Sequence, residues 1–326
     1  HSTLDVQTAD VEFLASFGTS NNKTFTKEGP GTWTLKGTVN NLQTGTVIVN
    51  AGLLVLNQAS GASPRIAIGG NLEIGDGLGL DVVRLARADQ IGSVSTVQVN
   101  AAGLLDLNNF NDSFFGLVMN GGSVTTGSGI MTVTASIQSL GAPVSSSIAG
   151  RLSLAGSRTF NIADGSPAVD LLVSADVFGG SIYKTGAGTL QLTGPVSISG
   201  TSTVAAGMLI LNSLTGSASL QVGLPTSTAS LSAEQLRINS MGIAAGSAAT
   251  IREQVNNANT TTSVLGALNI AGGIGAWTGA FDLNNTDLIV QAGTNVAAAF
   301  VNVYDQVKSG FGFGLYDGTT GIISTT

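Results

Sequence analysis

The chain has 326 residues, among them 45 glycines, one histidine and no cysteine, with 12 Lys+Arg against 19 Asp+Glu. Hydrophobic residues make up 43% and charged residues only 10%, the reverse of the balance that keeps a chain disordered, so this one is built to fold. A net charge of −7 with no basic stripe leaves nothing to neutralise a nucleic-acid backbone, and the missing cysteines exclude disulfides, thiolate metal sites and cysteine nucleophiles.

Residues 1–26 carry one or two strands, with Val11, Phe13 and Phe25 as inward candidates, and read either as an N-terminal cap or as a strand for exchange with another molecule. From Lys27 to Asn57 the chain runs KEGPGTWTLKGTVNNLQTGTVIVNAGLLVLN, short apolar/polar alternations punctuated by glycine. Residues 65–133 continue with strands of four to six residues ended by Gly or Asn-Gly, including VNAAGLLDLN at 99–108. After IAGRLSLAG, RTFNIADG and DLLVSADVFGG comes the clearest stretch, Lys184 to Asn212, KTGAGTLQLTGPVSISGTSTVAAGMLILN. Residues 213–262 are richer in Ala, Ser and Thr, with Ile251 to Thr262 readable as a polar loop or a helical turn.

GTWTLKG matches GTLQLTG, VNAGLLVLN matches VAAGMLILN, and 99–108 is a partial third copy. Such self-similarity marks a solenoid, in which no unit buries its apolar face alone and each stacks on a neighbour. The fold class is therefore all-β, a single-stranded parallel β-helix over 27–290. At about 20 residues per coil, roughly 13 to 16 coils are expected. Gly188, Gly194, Gly200 and Gly207 read as corners. Asn57, Asn108 and Asn212 each close an xLxLN strand, as rungs of an amide ladder or as ordinary turn residues.

The period changes in 291–326. Val296, Phe300, Val303, Tyr304 and Val307 fall on one helical stripe, with Asn295 as N-cap, Lys308 in the last turn and Gly310 as the stop. A short amphipathic helix is expected to turn this stripe inward and cap the open end of the solenoid.

Candidate chemistry is sparse. Lyase or hydrolase work needs clustered carboxylates, and no D-x-D or D-D pair occurs. The densest polar cluster is Asp106, Asn108, Asn109, Asn111 and Asp112, of which Asp106, Asn108, Asn111 and Asp112 offer oxygens to Ca²⁺, against the plainer reading of an Asn-rich turn. Asp76 and Asp81 in GDGLGLD read as a Gly-Asp turn. Lys27 and Lys184 recur at one place in the repeat and read as solvated turn residues. Trp33, Trp277, Tyr304 and Tyr316 could stack on sugars but read as core or cap. No catalytic residue, cofactor site or enzymatic activity is expected, and no apolar run reaches the roughly 18 residues of a membrane span.

With these residues laid out, the chain resembles the autotransporter-associated β-strand repeat family, whose signature is similar to K-x-G-x-G-T-L-x-L-x-G followed by T-x-V-x-x-G-x-L-x-L. Lys184 to Leu211 follow it closely, and Lys27 to Leu56 follow it with Pro30 and Trp33 as departures. The resemblance implies a right-handed β-helix that is secreted or surface-exposed on a Gram-negative-type bacterium as passenger, stalk, matrix or adhesin. No outer-membrane barrel is read in these residues, which moves the expectation toward a released or self-assembling product. The resulting expectation is an extracellular structural protein, a β-helical rod for a filament, matrix or surface layer, self-associating head to tail or laterally. The alternatives are an adhesin that takes extracellular glycans and, third, a polysaccharide-active enzyme.

Overall fold

The computed structural model describes residues 2–8, 10–14, 22–59, 65–216, 218–254, 262–312 and 318–325. The chain winds as a parallel β-solenoid of about 12 turns with one short helix near its C-terminus. The turn count falls below the expected 13 to 16 because coils vary in length: Leu231 pairs Ala249, a coil of 18 residues, whereas Leu54 pairs Val83, a coil of 29. The chain divides into two compact units, His1–Phe178 and Gly179–Thr326.

In the first unit, one ladder stacks Ser2–Asp5, Phe25–Glu28, Val47–Val49, Leu72–Ile74, Thr96–Asn100, Gly116–Asn120 and Ser136–Ser139, all parallel. A second stacks Val11–Phe13, Thr32–Leu35, Gly52–Leu56, Asp81–Leu85, Gly103–Asp106, Ser123–Thr125, Ser146–Ala149 and Leu171–Val173. Period-two alternation decides which side chains face in, and register carries each inward position from coil to coil. Val47, Leu72, Val97, Leu117, Ile137 and Phe160 form one such column, and every member is fully buried. The N-terminal strands sit outside this regime: Val11–Phe13 is largely exposed, although Phe13 meets the buried Trp33 edge-on at 5.3 Å.

In the second unit, Thr189–Leu192, Gly207–Thr215, Ala229–Ile243, Ala248–Ile251, Ala280–Asp282 and Gly321–Ile323 stack in parallel. Phe281 pairs Ile322, 41 residues on, because the helix α1 (Val296–Phe311) is inserted between them. The stretch read as loop or helical turn lies mostly outside the described residues, as does Tyr316.

Helix α1 forms where the period predicted, but its apolar stripe faces out. Phe300 is 68% exposed and Val296, Tyr304 and Val307 are exposed with it; Val303 alone is half-buried, and the buried residues are Gln306 and Gly310. Gly310 is no stop, since the helix continues to Phe311 and a Cβ at 310 would strike the carbonyl of Ile322. This glycine lets the helix lie directly on the backbone of Gly321–Ile323. Its rotation is set by Asp305, whose Oδ2 accepts from the Gly275 N–H at 2.6 Å and from Trp277 Nε1 at 2.8 Å. These two donors also hold the Asp305 carboxyl below the ordinary carboxylate range. Asn295 makes no side-chain cap. A groove of about 440 Å³ remains, lined by Leu288, Val290, Val296, Phe300, Val303 and Val307.

Candidate functional site

The sharpest sequence signal, the lysine of each repeat copy, is not a solvated turn residue. Lys27 and Lys184 are both completely buried. Each stands one residue before the end of its strand, at an inward position of the alternation, which the next coil fills with Val49 and Val204 respectively. Lys27 Nζ donates to the Gly29 carbonyl at 2.8 Å and to that of Ala51, in the next coil, at 2.6 Å. Lys184 Nζ repeats the arrangement on Gly186 at 3.0 Å and Ala206 at 2.9 Å. A buried cation persists only if paired or hydrogen-bonded, and here the corner carbonyls do that work. Burial pushes the Lys27 ammonium below its ordinary value, against the pull of Asp81, Glu28 and Asp5.

The glycines complete the corner. Gly52 and Gly207, directly after the accepting alanines, have φ of +73° and +65°. A Cβ on Gly207 would lie 2.5 Å and 2.6 Å from the carbonyls of Gly186 and Gly188. The pattern K-x-G-x-G followed a coil later by A-G is thus one device: lysine tying two coils together across a corner that only glycine lets close. Gly188 and Gly194, singled out in the sequence, are not among the residues with positive φ.

The four calcium candidates do not converge. Asp106 pairs with Arg84 at 2.8 Å and accepts the Asn108 N–H. Asn108, left-handed at φ +49°, donates to the Leu85 carbonyl, and Asn111 Oδ1 accepts from Ile130. Asp112 turns inward, nearly fully buried, and accepts three backbone N–H groups, from Gln90 at 2.8 Å, Ile91 at 3.2 Å and Ser113 at 2.8 Å. Burial nevertheless pushes its carboxyl up to about 7 against those donors. No group of three or more acidic or histidine side chains suited to a metal ion occurs among the described residues.

Asp112 ends a buried polar column that the sequence reading missed. Gln58 Nε2 donates to Asn41 Oδ1 at 2.9 Å, the Gln58 N–H to Gln90 Oε1 at 2.7 Å, and the Gln90 N–H to Asp112. All four residues are buried. One signal was available: Gln58 continues the inward alternation of Leu54 and Leu56 by one step past the strand. Asp112→Ala would leave two buried N–H groups and one half-buried N–H group without an acceptor. At 1–3 kcal/mol each with partial relaxation, a loss of about 3 kcal/mol is expected, read as faster amide exchange across residues 88–114.

Asn57, Asn108 and Asn212 do not bond to one another as rungs of an amide ladder. Asn57 accepts from Arg87, and Asn212 donates to Thr193 and accepts from Arg252. Asn57 and Asn108 stand two coils apart, since the strands they follow both pair with Asp81–Leu85. Instead Asn120 Nδ2 donates to its register partner Asn100, which donates to Glu73 and to the Gly75 carbonyl. These residues, with Asn50, Asp76 and Gln98, line an outward polar cleft of about 410 Å³. Of the aromatics, Trp33 and Trp277 are buried, whereas Tyr304 is exposed and stacks on Phe300 at 6.1 Å.

Among the described residues no helix is long and apolar enough to cross a membrane, which leaves strand-built barrels unaddressed. No curated protein and no solved structure matches this chain. A family match does occur, at the two stretches that build the lysine corners: residues 25–56 and 182–211 each match the passenger-associated-transport-repeat, so the chain carries two copies of that repeat.

Proposed function

We propose that this chain is an extracellular structural protein, a non-catalytic passenger-type β-helix that assembles with its own copies into a filament, matrix or surface layer. The repeat supports a secreted or cell-surface setting, since it is the repeat associated with transported passengers. The absorption of Lys27, Lys184 and Asp112 into backbone hydrogen bonds supports a non-enzymatic role: these three ionisable side chains are used to hold coils together.

The observation that carries self-assembly is a half-paired strand edge in each unit. Among the described residues, Ser2–Asp5 and Val11–Phe13 each pair with one neighbour only, and Phe13 and Leu14 beside that edge are exposed. In the second unit, Leu288–Val290 likewise has a single partner strand among the described residues, next to the outward apolar face of α1. Half-paired parallel edges recruit further strands, and joining unlike ends propagates without closing. Light scattering coupled to size exclusion tests this: the intact chain should elute as oligomers whose mass rises with concentration, and a chain lacking residues 1–14 as monomer. Monomers in both cases would sink the proposal.

A second reading, glycan binding, is favoured by the outward cleft of Asn50, Glu73, Gln98, Asn100 and Asn120, whose amides and carboxylates suit sugar hydroxyls. A glycan array on the intact chain and on Asn100→Ala addresses it; signal common to both would place binding elsewhere.

A further inference from the structure

Asp81, at the head of Asp81–Leu85, points into the interior of the first unit and is completely buried. Its register neighbours in the coils on either side are Gly52 and Gly103, so no side chain stands beside it in its own column. Among the described residues, Oδ2 receives a single long N–H contact, from Asp76 at 3.4 Å, and Oδ1 has no partner. The charged groups around it are Lys27 and Glu28 on Phe25–Glu28 and Asp76 on the adjoining loop. Lys27 is the only cation among them, and its ammonium is spent on the carbonyls of Gly29 and Ala51; the two residues form no ion pair. Arg84, on the same strand, faces outward to Asp106.

The second repeat copy supplies the comparison. Gly52 pairs Asp81, and its counterpart Gly207 pairs Ala229. The same corner therefore folds with an alanine in this place. A carboxyl here is an addition to the device and contributes no contact that the coil requires.

We propose that Asp81 is a proton-operated latch: taking up a proton secures the coil from Leu72 to Leu85, and losing it loosens that coil. The neutral carboxylic acid can stay buried, whereas the carboxylate is an interior charge with one poor hydrogen bond and no counter-ion in contact. Its route to water is through Asp76–Leu80, whose Leu78 and Leu80 already lie at the surface and whose Gly77 and Gly79 have open space around them. Burial raises the Asp81 carboxyl from 3.8 to about 6. A folded-state value above the unfolded one means that the folded chain binds the proton more tightly. The stabilisation is thus fully present below about pH 4 and is lost as the pH rises through about 6. Asp112, pushed up to about 7, titrates with the same sign but keeps three N–H donors when ionised, so its response is read separately, over residues 88–114.

Hydrogen exchange of the full chain at pH 5 and pH 8, corrected for intrinsic rates, tests the latch. Amides of residues 72–85 should gain roughly tenfold protection at pH 5, while those of 207–233, built on Ala229, should change less than twofold. Asp81→Asn and Asp81→Ala should each remove the gain, and Asp81→Ala copies a residue that the second corner already accommodates. A gain that persists in both variants, a gain of equal size at 207–233, or no gain in the parent chain would each overturn the proposal.

Discussion

Lys184→Met should make the amides of 182–211 exchange roughly 30-fold faster, a local loss of about 2 kcal/mol. Two effects oppose each other. Methionine removes the cost of holding an ammonium away from water, which is several kcal/mol for an ion in a dry interior. It also strands the carbonyls of Gly186 and Ala206, in a half-buried corner held by the ladder on both sides. Each hydrogen bond to a charged donor contributes about 1.5–3 kcal/mol, and an unmet buried acceptor costs a similar amount. Two such losses outweigh the recovered desolvation, because the corner backbone cannot turn its carbonyls elsewhere without breaking Thr189–Leu192 from Gly207–Thr215. Lys27→Met should act in the same direction on residues 25–56. Unchanged or slower exchange in Lys184→Met would show that charge burial dominates. The readout is local because a solenoid opens coil by coil, and one melting temperature averages over coils that the change never touches.

Gly207→Ala should cost more, about 3–4 kcal/mol, as the sum of two separable terms. A left-handed conformation costs a non-glycine residue about 1–2 kcal/mol. Overpacking against two backbone carbonyls that cannot move adds about 1–3 kcal/mol. Gly200 separates the terms, since it has φ +74° with nothing within 4 Å of an added Cβ. Gly200→Ala should therefore lose only about 1 kcal/mol. Exchange or urea unfolding of the two variants side by side checks this. Equal losses would mean that the close approach at Gly207 is absorbed by small backbone shifts, and the corner would be looser than its geometry implies.

The architecture was legible because it rests on local rules. Alternation of Leu190 with Leu192, and of Leu209 with Leu211, picks out strands and their inward faces whatever lies beside them. Repetition at Lys27 and Lys184 then requires stacking. Coil number was less legible, since loops such as Gly75–Leu80 lengthen a coil without altering any strand pattern. The helix was placed correctly, but a helical stripe states only that one face is apolar. Which face meets the body was decided by Gly310 against Ile322 and by Asp305 reaching Trp277, contacts with partners 12 and 28 residues away in the chain.

The site residues divide the same way. That Lys27 and Lys184 do equivalent work follows from the sequence alone, because they occupy equivalent places in a repeat. That the work is done in the interior does not follow, since lysine's preference for water is overridden only when carbonyls from two coils converge on it. Asp112 looked like one oxygen in a cluster of five and proved to be the end of a column through Gln90 and Gln58. Composition, period and repeat determined a stacked β-solenoid with glycine corners. Tertiary structure decided which polar groups are enclosed, because a buried charge depends on partners brought by neighbouring coils, 20 or more residues away, that no local pattern names.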